Sequence, residues 1–391
     1  MLTSLPPRPG PVSAFDFTEV VFGHLPRVDQ RRWAHAYLDA LLATPGKKSV
    51  RRLAESLAGS TSTAQSLHQF VNASPWPWEP AYGELMRWAE EHTVPRAWTI
   101  DVAVVRKRGE HSCGVHRRFV PSTGRSVNCQ VGIGAFLVTD DDALPVGWRL
   151  LLPRIWTEDP ARRSRTRIPH DVDARGLEMC ALELVRAMGE RSRLGEVPFV
   201  ADLSSHCPGT SLIRGLSRNH RDFLVGVPAR FPVVPDRHLR ARPCDSAAPL
   251  ATPAADLFEA ARDQHLVGSH TIRDSGGRPL TFRTALVRLP GPAADPAAAR
   301  AYRLIAGPAR GTGPQPLWLT NMVSRRLDDV LRLTRLRTRS TQTLDRLEQD
   351  YGMADFEGRS YPGWHHHMAL MSAAYMHARL GADAPALVRA S

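Results

Sequence analysis

Trp98-Thr-Ile-Asp-Val-Ala-Val-Val-Arg-Lys-Arg-Gly109 decides how this chain is read. Its apolar run, Ala97 to Val105, carries one acid, Asp101, and ends in a basic turn, the pattern of a strand. Outward from it, Asn128 to Thr139 and Gly147 to Leu152 are further strand-like runs, ordered as a meander. A helix is expected over Gly176 to Gly189, then a buried strand at Val197 to Ala201, another helix, and a strand at Phe223 to Val227. Strands that are first antiparallel and then alternate with helices predict an α/β fold, a mixed sheet with helices on its faces.

Four segments follow from this framework. Residues 1–95 read as an N-terminal helical module: Val28 to Leu42 places Trp33, Tyr37 and Leu41 at helical spacing, and Ser60 opens a polar cap before another helix. A DNA-contacting module and an ordinary helical cap fit this pattern equally. Residues 96–228 form the first part of the core. Residues 229–300, rich in Pro, Ala and Arg, read as an insertion carrying a few strands such as Leu280 to Leu289. Residues 301–391 return to the core with strands at Tyr302 to Ala306 and Leu317 to Asn321, a long basic helix from Leu327 to Tyr351, and a last helix from Gly363 to Leu380.

Charge narrows the partner. The 391 residues carry 51 Lys and Arg against 39 Asp and Glu, a net +12. Such an excess suits a polyanion, nucleic acid before membrane, although a solubilising Arg-rich surface is compatible with it. No stretch approaches the length of an apolar transmembrane helix, and Met1 to Pro11 lacks the apolar run of a signal peptide. Cys113, Cys129, Cys180, Cys207 and Cys244 are odd in number and widely spaced without a CxxC pair, which points to reduced thiols and a cytoplasmic location.

Several long strings occur together in order: Leu25-Pro-Arg-Val-Asp-Gln-Arg-Arg32, Leu67-His-Gln-Phe-Val71, Gly124-Arg-Ser-Val-Asn-Cys-Gln-Val-Gly132, Trp148-Arg-Leu-Leu-Leu-Pro153, Trp156-Thr-Glu-Asp-Pro-Ala-Arg-Arg163 and Phe356-Glu-Gly-Arg-Ser-Tyr-Pro-Gly-Trp-His-His-His367. With them the chain resembles, over nearly its whole length, the DDE transposases of bacterial insertion sequences, in the branch of DDE superfamily endonucleases. The resemblance implies a ribonuclease-H-like fold whose carboxylates hold two Mg²⁺ ions for phosphodiester hydrolysis and strand transfer. Acidic oxygens suit Mg²⁺ because it is a hard, octahedral cation.

Matched position by position, the family's carboxylates thin out. Its first motif reads Ile-Asp-Asp-Thr-Gly with the second aspartate as ligand; here the string is Ile100-Asp101-Val102-Ala103-Val104, so the ligand position is Val102. Asp101 remains, but neighbouring side chains on a strand point to opposite faces, so the role does not pass to it simply. The second ligand matches Asp202, followed by Leu203-Ser-Ser-His-Cys-Pro-Gly209 in place of the family's Ala-Gly-Tyr-Gly. The third lies in Leu-Arg-Trp-Arg-Ile-Glu; counted back without gaps from Phe356, the match is Leu336-Arg-Thr-Arg-Ser-Thr341, with Thr341 at the glutamate. Glu348 takes that place only if the register is shifted.

Other chemistry stays open around the same positions. Asp101, Asp202, His206 and Cys207 are candidates for acid–base or nucleophilic work, and His111-Ser-Cys-Gly-Val-His116 is a second polar cluster. Ordinary loop residues filling a vacated site explain both clusters as well. His365, His366 and His367 point in different directions on a helix and cannot chelate one ion together. Arg162, Arg163, Arg335, Arg337 and Arg339 are candidate phosphate contacts.

The expectation is therefore a transposase-derived protein that has lost two-metal strand transfer and retains DNA binding. A new enzyme acting on a small molecule in the vacated cleft is the alternative, and an active transposase with a triad of Asp101, Asp202 and Glu348 a further one. No cofactor is expected, with Mg²⁺ needed only if nuclease activity persists. DNA is the expected partner, a small-molecule substrate the alternative, and no membrane partner is expected. The oligomeric state is not legible.

Overall fold

A computed structural model of the chain describes residues 12–57, 61–120, 124–195, 197–236, 251–259, 267–273, 276–292, 294–308 and 315–381. Met1 to Pro11, Ser60 and Cys244 lie outside the described residues. The chain divides into two units, one made of Met1–Arg96, Ile100–Gly195 and Arg339–Ser391, the other of Ala97–Thr99 and Glu196–Thr338.

The first unit opens with helices α1 (Ala14–Phe22), α2 (Val28–Ala43), α3 (Val50–Ser56), α4 (Thr61–Asn72) and α5 (Glu79–His92). The Ser13 hydroxyl accepts the Asp16 N–H at 3.1 Å, capping α1. Strand β1 (Ala97–Arg106) begins in the second unit and continues in the first; β2 (His116–Val120), β3 (Arg125–Val138) and β4 (Ala143–Leu150) follow, then helices α6 (Arg154–Thr157), α7 (Pro160–Thr166) and α8 (Leu177–Arg191). β2 and β4 both pair with β3, antiparallel, at different heights. From Cys129 to Val138 every residue of β3 is buried, which explains why this strand reads as a continuous apolar run. Gly134 is required here, because a Cβ on it would sit 2.9 Å from the rings of Phe136 and Trp148.

The second unit contains β5 (Phe199–Asp202), α9 (Thr210–Arg218), β6 (Phe223–Val227), β7 (Pro232–Pro235), β8 (Thr252–Pro253), α10 (Ala254–Glu259), β9 (Val267–Arg273), β10 (Pro279–Arg288), α11 (Pro296–Ala299), β11 (Tyr302–Ala306) and β12 (Leu317–Thr320). β5 and β6 pair in parallel across α9, while β6–β12, β12–β11 and β11–β10 are antiparallel. Helix α12 (Leu327–Gln349) starts here and enters the first unit at Arg339. Its Val330 and Leu331 pack on Val200, Leu224, Ile305 and Trp318, an apolar cluster that fixes the start of the helix against the sheet.

Helix α13 (Tyr361–Leu380) completes the first unit. Ser360 caps it, and the Trp148 indole N–H donates to Ser372 at 3.0 Å, tying the helix to β4. Parallel and antiparallel pairing with helices on the sheet make this the α/β, ribonuclease-H-like arrangement that the sequence led us to expect. Among the described residues no helix is long and apolar enough to cross a membrane.

Candidate functional site

Strand β1 is buried along most of its length, and Asp101 is only 7 % exposed. A carboxylate so placed is costly unless hydrogen-bonded. Three donors supply that. The Thr341 hydroxyl donates to Oδ2 at 2.9 Å, the Ser340 hydroxyl to the same oxygen at 3.3 Å, and the Val102 N–H to Oδ1 at 2.8 Å. All three donors are uncharged. Helix α12 thus presents residue 341 to the carboxylate that strand alternation had set aside, while Val102 follows it on the strand with its side chain on the opposite face. Glu348 lies seven residues further along α12, about 10 Å by helical rise, and is exposed.

Asp202 ends β5 in the second unit. Its Oδ1 accepts the Ser204 hydroxyl at 2.6 Å and the Ser204 N–H at 3.2 Å, a local turn closed by the aspartate's own side chain. Arg337 approaches Oδ2 at 3.6 Å. Gly226 on β6 makes room for this carboxylate: a Cβ there would lie 2.5 Å from Oδ1. The N–H groups of His206 and Cys207 both donate to the Leu203 carbonyl, at 2.8 and 2.9 Å, and the Cys207 thiol lies 3.7 Å from the same oxygen. The turn thereby runs into Gly209, whose φ of 81° suits glycine, and α9 begins. From this loop the structure brings Ser204 onto Asp202. Ser204 belongs to the polar string that the sequence showed after Asp202, whereas Ser340 was not singled out; its signal was a Ser-Thr pair inside an otherwise basic helix.

The second polar cluster divides between an exposed His111 and a buried Cys113. Cys113 is buried, which pushes its thiol up to about 12, and its carbonyl accepts from Gln130 at 2.6 Å. The three histidines of α13 are buried and diverge. His366 sets its ring nitrogens 2.8 Å from the carbonyls of both Val71 and Trp76; His367 faces the Tyr37 hydroxyl at 3.1 Å and the Gly352 carbonyl at 3.0 Å; His365 stacks on Trp78 at 4.6 Å. Burial lowers all three, His366 and His367 to about 4.

The arginines divide by partner. Arg163 donates to the carbonyls of Thr157, Pro169 and Val172, bracing the loop after α7. Arg162 lies over the Trp156 ring at 5.2 Å and 3.4 Å from Asp159, beside a small cleft of about 190 Å³ lined also by Glu110, His111, Arg165 and Thr166. On α12, Arg335 is exposed and Arg337 and Arg339 are half-buried.

An aspartate inside the first core strand, a second at the end of a parallel strand, and a long helix delivering a side chain to the first define a ribonuclease-H-like nuclease scaffold. Residues 20–276 match the family described as DDE superfamily endonuclease, and since that is more than half of the 391 residues, the chain belongs to that family. The match takes in both aspartates and stops ahead of α12. No curated protein matches the chain.

Proposed function

We propose that this chain is a transposase-derived protein that has lost two-metal strand transfer and retains DNA binding in the cytoplasm. One observation carries the reading. At the position where the resemblance places the third carboxylate stands Thr341, with its hydroxyl spent on Asp101 at 2.9 Å. Mg²⁺ takes near-octahedral oxygen ligands and is usually held by more than one acidic group. Asp101 has neutral hydroxyls for company and Asp202 a guanidinium, and among the described residues no three His, Cys, Asp or Glu gather to hold an ion. This donor set does not fit a pair of Mg²⁺ ions, so no step is derived through them.

In this reading Asp101 and Asp202 organise the scaffold, together with His206 and Cys207 in the turn. The net charge of +12 and the arginines of α7 and α12, Arg162, Arg335, Arg337 and Arg339 foremost, supply phosphate contacts. Arg163, committed to three carbonyls, shapes the loop that presents Arg162.

The test is binding and nicking of duplex DNA with Mg²⁺ or Mn²⁺, comparing wild type with Asp202→Ala. Salt-sensitive binding without nicking is expected for both proteins. Metal-dependent nicking abolished by the substitution sinks the proposal and restores an active nuclease with a shifted triad.

A further inference from the structure

Strands β2 and β3 of the first unit meet in a basic ribbon without acids, on which Arg117, Phe119, Arg125 and Ser126 are exposed. From His111 to Thr139 the sequence holds no Asp or Glu, while Arg117, Arg118 and Arg125 all lie on the hairpin. At its base the Lys107 N–H, just past the end of β1, donates to the Asn128 carbonyl at 2.9 Å. Beyond that bond, β2 and β3 continue as a two-stranded ribbon, and β3 passes from buried Cys129 to exposed Ser126 and Arg125.

Register sets the faces. Arg117 pairs with Asn128 and Phe119 with Ser126 on one face, whereas Arg118 with Val127 belongs to the other, together with Arg125. Phe119 is 58 % exposed, with arginines on both sides of the ribbon. An exposed aromatic on a sheet edge is an aggregation liability unless a partner covers it.

We propose that this hairpin enters the major groove of duplex DNA, with Arg117, Arg118 and Arg125 on the phosphates of the two groove walls and Phe119 against thymine methyl groups. The proposal rests on the DNA-binding reading above and adds to it the contacting element and its base preference. A major groove about 12 Å wide admits a two-stranded β-ribbon. The face that carries Phe119 and Arg117 meets the groove floor and one wall, and the long side chains of Arg118 and Arg125 reach the phosphates from the other face. The thymine methyl is the one apolar group displayed on the groove floor, and phenylalanine is among the side chains that contact it.

The experiment measures binding of a mixed-sequence duplex over a range of salt, and of the same duplex with uracil in place of thymine. Arg117→Ala with Arg125→Ala lowers the salt dependence by roughly two units, about 0.9 for each phosphate that the variant no longer neutralises. Phe119→Ala leaves that slope alone and weakens binding about fourfold, the equivalent of one buried methyl. Uracil weakens the wild type by the same factor and leaves Phe119→Ala unchanged. Arg186→Ala, an exposed arginine of α8 paired with Glu190, serves as the charge control and changes neither the slope nor the response to uracil. All four positions are exposed, and unaltered melting midpoints confirm folding.

If the wild type binds duplex DNA but the hairpin variants match it, the hairpin proposal falls and the DNA-binding reading stands. If the wild type does not bind duplex DNA at low salt, both fall. Concentration-dependent self-association abolished in Phe119→Ala, with DNA affinity intact, assigns the aromatic to a second copy of the chain and overturns the proposal.

Discussion

Asp101 and Asp202 are two carboxylates held in opposite ways. In the first unit Asp101 is held by the hydroxyls of Thr341 and Ser340, and the α13 histidines by carbonyls and aromatic rings, while buried Asp142 takes arginines, Arg346 and Arg379. In the second, Asp202 keeps a side chain 25 % exposed and takes a turn hydroxyl and the guanidinium of Arg337. A buried carboxylate that accepts three hydrogen bonds from neutral donors depends on them for its burial. A partly exposed carboxylate beside an arginine keeps access to solvent and gains little from the pair. The first arrangement is a structural joint and the second a surface feature, and the predicted responses differ accordingly.

Acid distinguishes the regions most. His366 and His367 bind protons at about 4 in the folded chain and near 6.5 when unfolded. Between those values the unfolded state holds more protons, so their contribution to stability is complete above pH 6.5 and is lost as pH falls. The loss is about 1.4 kcal/mol per pH unit for each histidine, on the order of 4 kcal/mol for the two by about pH 5. Denaturant midpoints followed by tryptophan fluorescence report it, since Trp76 stacks on His366 at 3.8 Å. A midpoint that stays put between about pH 7 and pH 5 breaks the picture of α13 histidines kept neutral by burial.

Placing an acid at residue 341 is the next largest perturbation. Thr341→Glu places a carboxylate against Asp101 and removes one of its donors, costing roughly 3 kcal/mol without metal. Millimolar Mg²⁺ or Mn²⁺ should then raise the melting temperature of this variant and leave that of the wild type alone. A wild type stabilised by the metal to the same extent sinks the contrast, because its own donors would then suffice.

Removing each aspartate in turn gives the direct comparison. Asp101→Ala leaves the hydroxyls of Ser340 and Thr341 and the Val102 N–H without their acceptor, for a loss of about 2 kcal/mol. Asp202→Ala costs about 1 kcal/mol or less, because its arginine pair is partly solvated. Urea titrations of both variants at neutral pH settle the order, and equal losses would falsify the distinction between joint and surface feature.

Much of the fold was legible locally. The strands from Phe223 and Tyr302 run over the expected residues, and β1 extends only one residue past the expected Val105. Period and apolar content carry that information because burial on both faces leaves no choice of residue type. Short edge strands such as β2, with its mixture of arginines and one phenylalanine, show no such pattern, and nothing in the local sequence marks it as a strand. The site was legible as a set of positions and not as a set of contacts. Strand alternation is a sound local rule that separates Asp101 from Val102, yet it does not say which of the two faces the incoming helix.

By itself the sequence determined the chain's basic charge, its succession of strands and helices, its family, and the retention of acids at Asp101 and Asp202. These follow from composition, from local periodicity and from strings long enough to be matched. Only the tertiary structure decided that Thr341 and Ser340 reach Asp101, that Arg337 and Ser204 take Asp202, and that Arg163 is occupied by carbonyls. The reason is that contacts between residues such as Asp101 and Thr341, 240 positions apart, depend on how a helix turns and slides against a sheet. Packing over many residues sets that register, and no window along the chain contains it.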